Sequence, residues 1–200
     1  DNTVSALYED SAGLLWVGTV LGLDSLDRAT WQFHHHPAVS DAVSVILEDT
    51  AGNLWVGTHG GGLLQLDQAT GATIWYRHDP AAPATLSDDN VTAILQDGEG
   101  LLWVGTWNGL NALDPTTGQV TRYYAQPDDQ NSLSHNWVTA IIAERSGATS
   151  AGGRPVLWVG TGIDDQPEVG GLNRLDLATN HFTRYLHEAD EPYSLGHNQV

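Results

Sequence analysis

Leu-Trp-Val-Gly-Thr occurs four times in this chain, at residues 15–19, 54–58, 102–106 and 157–161, and nothing else in the sequence limits its fold as tightly. Each copy sits inside a longer unit. Upstream lies a short apolar segment that opens at Val4, Val43, Val91 or Val138 and closes on an acid, Asp10, Asp49, Asp97 or Glu144. The Val precedes the Trp by 12 residues in three units and by 20 in the fourth. Downstream comes Gly-Leu-x-x-Leu-Asp, ending at Asp27, Asp67, Asp114 and Asp176, then a Thr-containing turn and an aromatic segment. Leu195 to Val200 repeat the spacing of Leu133 to Val138, as though a fifth unit were starting.

Each unit holds four short apolar runs punctuated by Gly, Asp, Asn and Pro, and runs of that length rich in β-branched and aromatic residues read as strands. Leu-Trp-Val places neighbouring residues on opposite faces of a strand, so both faces need cover. Four-stranded sheets standing side by side supply that cover. Four strands per repeat of roughly 40 to 50 residues is the arithmetic of a β-propeller. The fold class is therefore all-β, with four-stranded antiparallel blades. Blade boundaries fall at residues 1–39, 40–88, 89–135 and 136–196, the last with two insertions, and residues 197–200 begin a fifth blade. All belong to one partial propeller. Taken alone, such a piece is expected to stand as a partly open arc or to associate through its bare ends. Gly after Trp-Val is read as a point of close approach between backbones, with a bulge as the alternative.

The sequence Val-x-Ala-Ile-x-x-Asp, Gly-x-Leu-Trp-Val-Gly-Thr, Gly-Leu-x-x-Leu-Asp, present in full between Val91 and Asp114, resembles the two-component regulator propeller repeat. The resemblance runs over essentially the whole chain. It implies propellers, often paired in tandem, on the extracytoplasmic side of membrane-bound sensors whose output is a histidine kinase or another signalling domain. It also implies dimerisation of the parent sensor and, in some relatives, an oligosaccharide ligand. None of the downstream signalling parts is in these 200 residues.

Composition excludes several other functions. There are 25 acidic residues against 7 basic ones, all Arg, for a net charge of −18. Nucleic acid and anionic membrane surfaces call for clustered positive charge, so neither is an expected partner. Cysteine is absent, which removes disulfides, thiolate metal sites and a cysteine nucleophile. No apolar run approaches the roughly 18 residues of a membrane-spanning helix, and no basic-then-apolar signal segment opens the chain. Because it begins at Asp1, the sequence is read as a processed product or an internal piece of a longer protein.

A four-stranded meander puts the second-to-third turns and the blade-to-blade connectors at one end, and loops on a rigid scaffold are where recognition sits. At that end residue types change from unit to unit while the framework does not. The ligand-binding candidates are His59, Trp107, Asn108, His135, Asp164 and Asp165; Trp107 beside Asn108 offers a flat apolar platform next to an amide. Trp16, Trp55, Trp103 and Trp158 share one repeat position and are assigned to the core. His34, His35 and His36 are consecutive on a strand, alternate faces and do not converge on a metal. Asp164, Asp165 and Glu168 offer oxygen ligands but lack the EF-hand pattern. Asn2, Asp41, Asp89, Asn136 and Asn198 stand two before the first-strand Val and are read as turn-holding acceptors. No cofactor and no catalytic residue is expected of this segment: it has no G-x-S-x-G elbow, P-loop or H-E-x-x-H motif. The leading expectation is a ligand-sensing or interaction module. The alternative is a propeller enzyme, a lyase or glycosidase with its site in the central opening.

Overall fold

A computed structural model describes residues 3–144, 156–163 and 166–200. All regular structure among them is strand, in four antiparallel sheets each wound in chain order. Blade 1 holds β1 (Val4–Glu9), β2 (Leu15–Thr19), β3 (Gly22–Asp27) and β4 (Gln32–His36). Blade 2 holds β5 (Ala42–Glu48), β6 (Asn53–His59), β7 (Leu63–Asp67) and β8 (Thr73–Tyr76). Blade 3 holds β9 (Val91–Gln96), β10 (Leu102–Thr106), β11 (Gly109–Leu113) and β12 (Val120–Tyr123). Blade 4 holds β13 (Val138–Ala143), β14 (Val156–Ile163), β15 (Gln166–Asp176) and β16 (His181–Tyr185). The first strands β1, β5, β9 and β13 pack one against the next, which makes them the inner strands of a propeller arc. The insertion over residues 146–154 that was expected to form a loop lies outside the described residues.

Apolar side chains fill the space between blades instead of one central core. Trp16, Val43 and Leu54 belong to the cluster between blades 1 and 2, Trp55, Val91 and Leu102 to that between blades 2 and 3, and Trp103, Val138 and Leu157 to that between blades 3 and 4. Leu54, Trp55 and Val56 are all fully buried, as consecutive strand residues must be when both sheet faces are covered. The exposed faces of the end blades show the converse. Leu7 is 63% and Ile142 61% exposed, and Trp158 is only half-buried although its three counterparts are core.

One device joins every pair of blades. The residue after each first-strand Val is skipped in the pairing of first and second strands, a β-bulge at Ser5, Ser44, Thr92 and Thr139. The bulge turns that hydroxyl towards the next blade. Ser5 Oγ donates to Val43 O at 2.5 Å, Ser44 Oγ to Val91 O at 2.6 Å, Thr92 Oγ1 to Val138 O at 2.7 Å, and Thr139 Oγ1 to Val200 O. Opposite each bulge sits the Gly of Trp-Val-Gly-Thr, pressed by the same Val of the next blade. A methyl placed on Gly18, Gly57 or Gly105 would lie 2.5, 2.6 and 2.6 Å from Val43, Val91 and Val138 Cγ1 respectively. The glycine is thus a point of close packing, but against the Val side chain of the next blade, and the bulge lies opposite it on the first strand and not at the glycine itself.

A second device holds each Trp. The acid closing the first strand accepts the indole N–H, Asp10 from Trp16 and Asp49 from Trp55 at 2.8 Å, Asp97 from Trp103 at 2.9 Å. Its other oxygen accepts two backbone amides of the following turn, for Asp49 those of Ala51 and Asn53. Burial pushes the Asp49 carboxyl up, but bonds from Trp55, Asn53 and Ala51 together outweigh it and hold the group below the ordinary carboxylate range. The stability this adds is complete above the unfolded-state value of about 4 and is lost as pH falls through the lower folded value. Asp49→Asn is therefore expected to flatten the acid limb of a urea-midpoint profile taken from about pH 7 to about pH 2; an unchanged slope would refute the assignment. In blade 4 Glu144 takes this place, and its Oε2 has no partner among the described residues.

The three long connectors are held by the acceptors two before Val, at Asp89, Asn136 and Asn198, as the sequence suggested, whereas Asp41 in the short connector accepts no such bond among the described residues. Asp89 Oδ1 accepts the His78 amide and Asn136 Oδ1 the Ala125 amide, both at 2.7 Å. Asn2 lies outside the described residues.

Candidate functional site

The turns between second and third strands and the connectors into the next blade meet at one end, and they are bonded to each other there. Trp107 N donates to Asn90 O at 3.1 Å, Gly109 N to Asn136 O at 2.7 Å and Gly162 N to Trp137 O at 3.0 Å. Gly109 is thus tied to the strand start of the next blade, and Trp107 and Gly162 to the strand start of their own, so side chains on these turns are set by the scaffold. Thr106 adds to this: its Oγ1 donates to Gly109 O at 2.9 Å and receives the Asn108 amide at 3.2 Å.

Three rings from three blades line up on this end. His59, at the end of β6, lies 5.7 Å from Trp107, and Trp107 stacks on Trp137 at 4.7 Å with 30° between planes. The rings border an open groove of about 590 Å³, whose other walls are Thr92, Thr139, Gly162 and Ile163. No wall residue is an Asp, Glu, Lys or Arg. Trp107 remains 39% exposed, an unusual solvent exposure for so large a ring on a pinned turn. The Thr92 and Thr139 hydroxyls donate across the blade seams and keep acceptor capacity to spare, and both residues line the groove.

The other expected residues are placed as follows. Asn108 stands beside the tier and accepts from Asn136 Nδ2 at 3.1 Å. His135 is half-buried and uses Nδ1 to accept the Trp137 amide at 3.1 Å, which sets the Trp137 backbone; it does not line the groove. Burial holds the His135 imidazole below its ordinary range, consistent with a neutral acceptor. Asp164 and Asp165 lie outside the described residues, as does the Glu168 side chain. His34 and His35 are exposed on β4, His35 paired with Asp24, while His36 packs 4.7 Å from Trp16 and bonds Ser25 Oγ at 2.9 Å. His36 also borders a separate cavity of about 390 Å³ between blades 1 and 2, walled mainly by the core residues Trp16, Leu23, Val39, Leu64 and Leu66.

Trp137 was not singled out from sequence. Its repeat position holds Ala42, Asn90 and Gln199 in other units, so it read as ordinary connector variation. The available signal was that two Trp, 107 and 137, break the repeat at the same end of adjacent blades.

Residues 1–20, 39–60 and 85–108 match the two component regulator propeller family. Over those segments, about a third of the chain, the likeness is to that family's repeats. Among solved structures, this propeller is similar to the extracellular domain of what is described as a hybrid two component system from B. thetaiotaomicron, at 23% identity and a TM-score of 0.74; the match covers 94% of this chain and 25% of that one. A second B. thetaiotaomicron extracellular domain, described as belonging to a one component system, matches at 22% identity and a TM-score of 0.67, over 92% of this chain and 25% of that one. Virginiamycin B lyase from Staphylococcus aureus matches at 11% identity and a TM-score of 0.62, over 94% of this chain and 57% of that one. At such identities the likeness is one of fold. The propeller spans about a quarter of the length of the two extracellular domains. No curated protein matches the chain significantly.

Proposed function

We propose that this chain is part of the extracytoplasmic ligand-sensing propeller of a two-component sensor, and that the His59, Trp107 and Trp137 groove is its ligand-facing surface. The observation that carries the reading is the three-ring tier itself: side chains from three blades, pinned by backbone bonds, present a flat apolar surface with uncharged walls. Such a surface suits a neutral polar ligand with one apolar face, and an oligosaccharide has that shape, its axial C–H groups lying on an indole and its hydroxyls reaching Thr92, Thr139 and Asn108. Resemblance to sensor extracellular domains agrees with this. Ligand would favour one arrangement of the propellers in the parent sensor and so shift its signalling population.

A glycan screen followed by calorimetry on this chain tests the reading. Trp107→Ala and Trp137→Ala are each expected to weaken a bound oligosaccharide about tenfold, as loss of a stacking aromatic does. Trp31→Ala, an outer-edge Trp that is 74% exposed, should leave affinity unchanged. Because the walls are uncharged, affinity should also hold as salt rises. Equal loss in all three variants would overturn the assignment, and turnover of the bound sugar would favour the enzymatic alternative.

A further inference from the structure

Three connectors of the chain adopt the same turn, and in two of them the turn holds a guanidinium. In the connector into blade 3, Ala82 N donates to Asp79 O at 3.1 Å and Thr85 N to Ala82 O at 3.3 Å. Arg122 of β12 enters this cradle: Nε donates to Thr85 O at 2.6 Å, and Nη2 to Ala82 O at 2.9 Å and Thr85 Oγ1 at 2.6 Å. The connector into blade 4 repeats every bond. Asp129 N donates to Gln126 O at 3.1 Å and Ser132 N to Asp129 O at 3.2 Å. Arg184 of β16 then donates from Nε to Ser132 O at 2.8 Å, and from Nη2 to Asp129 O at 2.7 Å and Ser132 Oγ at 2.6 Å.

The third copy, after blade 4, has the cradle without the cation. Glu191 N donates to Glu188 O at 3.0 Å and Ser194 N to Glu191 O at 3.1 Å, while Ser194 Oγ receives the Glu188 amide at 2.9 Å just as Ser132 Oγ receives the Gln126 amide at 2.8 Å. Among the described residues no arginine reaches Glu191 O, Ser194 O or Ser194 Oγ. Two further facts bear on what belongs there. The short connector between blades 1 and 2 forms no such turn, and at the strand position of Arg122 and Arg184 blade 2 carries Trp75; in blades 2 to 4 the arginine is present only where the connector before the blade forms the turn. And Val200 already sits against Gly160 and accepts from Thr139, the contacts by which each earlier blade is received.

We infer that the connector of residues 187–198 is the receiving half of a guanidinium lock, and that its occupant is an arginine on the fourth strand of a further propeller blade packed against blade 4. In both filled copies the arginine is followed by Tyr, Tyr123 or Tyr185, so the occupant is an Arg-aromatic pair on an outer strand. Glu188, Asp190 and Glu191 give the turn a negative charge that suits it. An ammonium cannot replace it, because the cradle's three acceptors match a planar fork.

The test is a titration of the 200-residue chain with N-ethylguanidinium and, separately, ethylammonium, read on the carbonyl resonances of Glu191 and Ser194. Saturable shifts are expected with guanidinium, and binding about fivefold weaker or worse with the ammonium. Ser194→Thr, which installs the residue found at Thr85, should keep the response, and Ser194→Ala should lose most of it. Arg184→Gln should open the second cradle, so that the carbonyls of Asp129 and Ser132 begin to respond where in the parent chain they do not. Equal response to both cations, or a response that survives Ser194→Ala, would show that the acidic residues merely attract cations and would overturn the proposal. So would the absence of any shift at Glu191, or silence of the opened cradle in Arg184→Gln.

Discussion

Truncating Trp55 to alanine is expected to cost about 3–5 kcal/mol, the range for emptying a fully enclosed aromatic site. Trp55 has no exposed surface and fills the space between blades 2 and 3 with Leu63, Leu86 and Val91. Its loss also takes a donor from the Asp49 carboxylate, a buried acceptor whose remaining partners are Asn53 and the turn amides. A typical domain is stable by only about 5–15 kcal/mol, so one such site is a large share of the whole. The comparison that makes this informative is Trp158→Ala, the same repeat position on the bare face of blade 4. There the ring is half-buried and packs on Tyr185 at 5.5 Å, with no further blade described over it, so its removal should cost less than half as much. Urea unfolding of the two variants side by side decides it: equal losses would mean that blade-to-blade burial is not what the Trp contributes.

Gly57→Ala is the second large effect, at about 1–3 kcal/mol from overpacking. The added methyl would lie 2.6 Å from Val91 Cγ1 and 2.7 Å from Val45 Cγ1, and Val91 is held in place by the Ser44 bond to its own carbonyl. Neither neighbour can yield without shifting a strand. Shortening the opposing side chain in Gly57→Ala/Val91→Ala should restore part of the loss, a coupling that a double-mutant cycle would register. Gly160→Ala should cost less, since its nearest contacts are at 3.0 and 3.1 Å, from Thr139 Oγ1 and Val200 Cγ1. A loss at Gly160 as great as at Gly57 would place the strain within the blade instead of between blades.

The repeat made the architecture legible. Strand number, the buried Trp set, the role of Gly in Trp-Val-Gly-Thr and the end at which turns and connectors gather all follow from period and face alternation, because each is a property of one unit seen four times. What stayed hidden depends on pairs drawn from different units. Trp137 meets Trp107 only because the start of one blade lies beside the turn of the blade before it, and the two residues stand 30 positions apart in sequence with no shared repeat position. Arg122 and Thr85 are 37 residues apart and join an outer strand to the connector that precedes its own blade. The Ser and Thr after each first-strand Val looked like ordinary polar alternation; that a bulge aims them at the neighbouring blade is not written in composition or period. Asp27, Asp67 and Asp114 end the Gly-Leu-x-x-Leu-Asp motif in their units, and the structure shows what they do there. The Ala29 amide and Thr30 hydroxyl at Asp27, the Thr70 hydroxyl and amide at Asp67, and the Thr117 hydroxyl and Thr116 amide at Asp114 hold these carboxyls below the ordinary range while they close the turns after the third strands.

The seam hydroxyls lie along the inner strands, and the guanidinium clasps lie at the outer ones. Neighbouring blades therefore share a bound spine near the axis, and at their outer margins a long connector adds a clasp. Between blades 1 and 2 there is a spine without a clasp, and the rim of that pair rests on the apolar packing of Leu23, Leu64 and Leu66 instead.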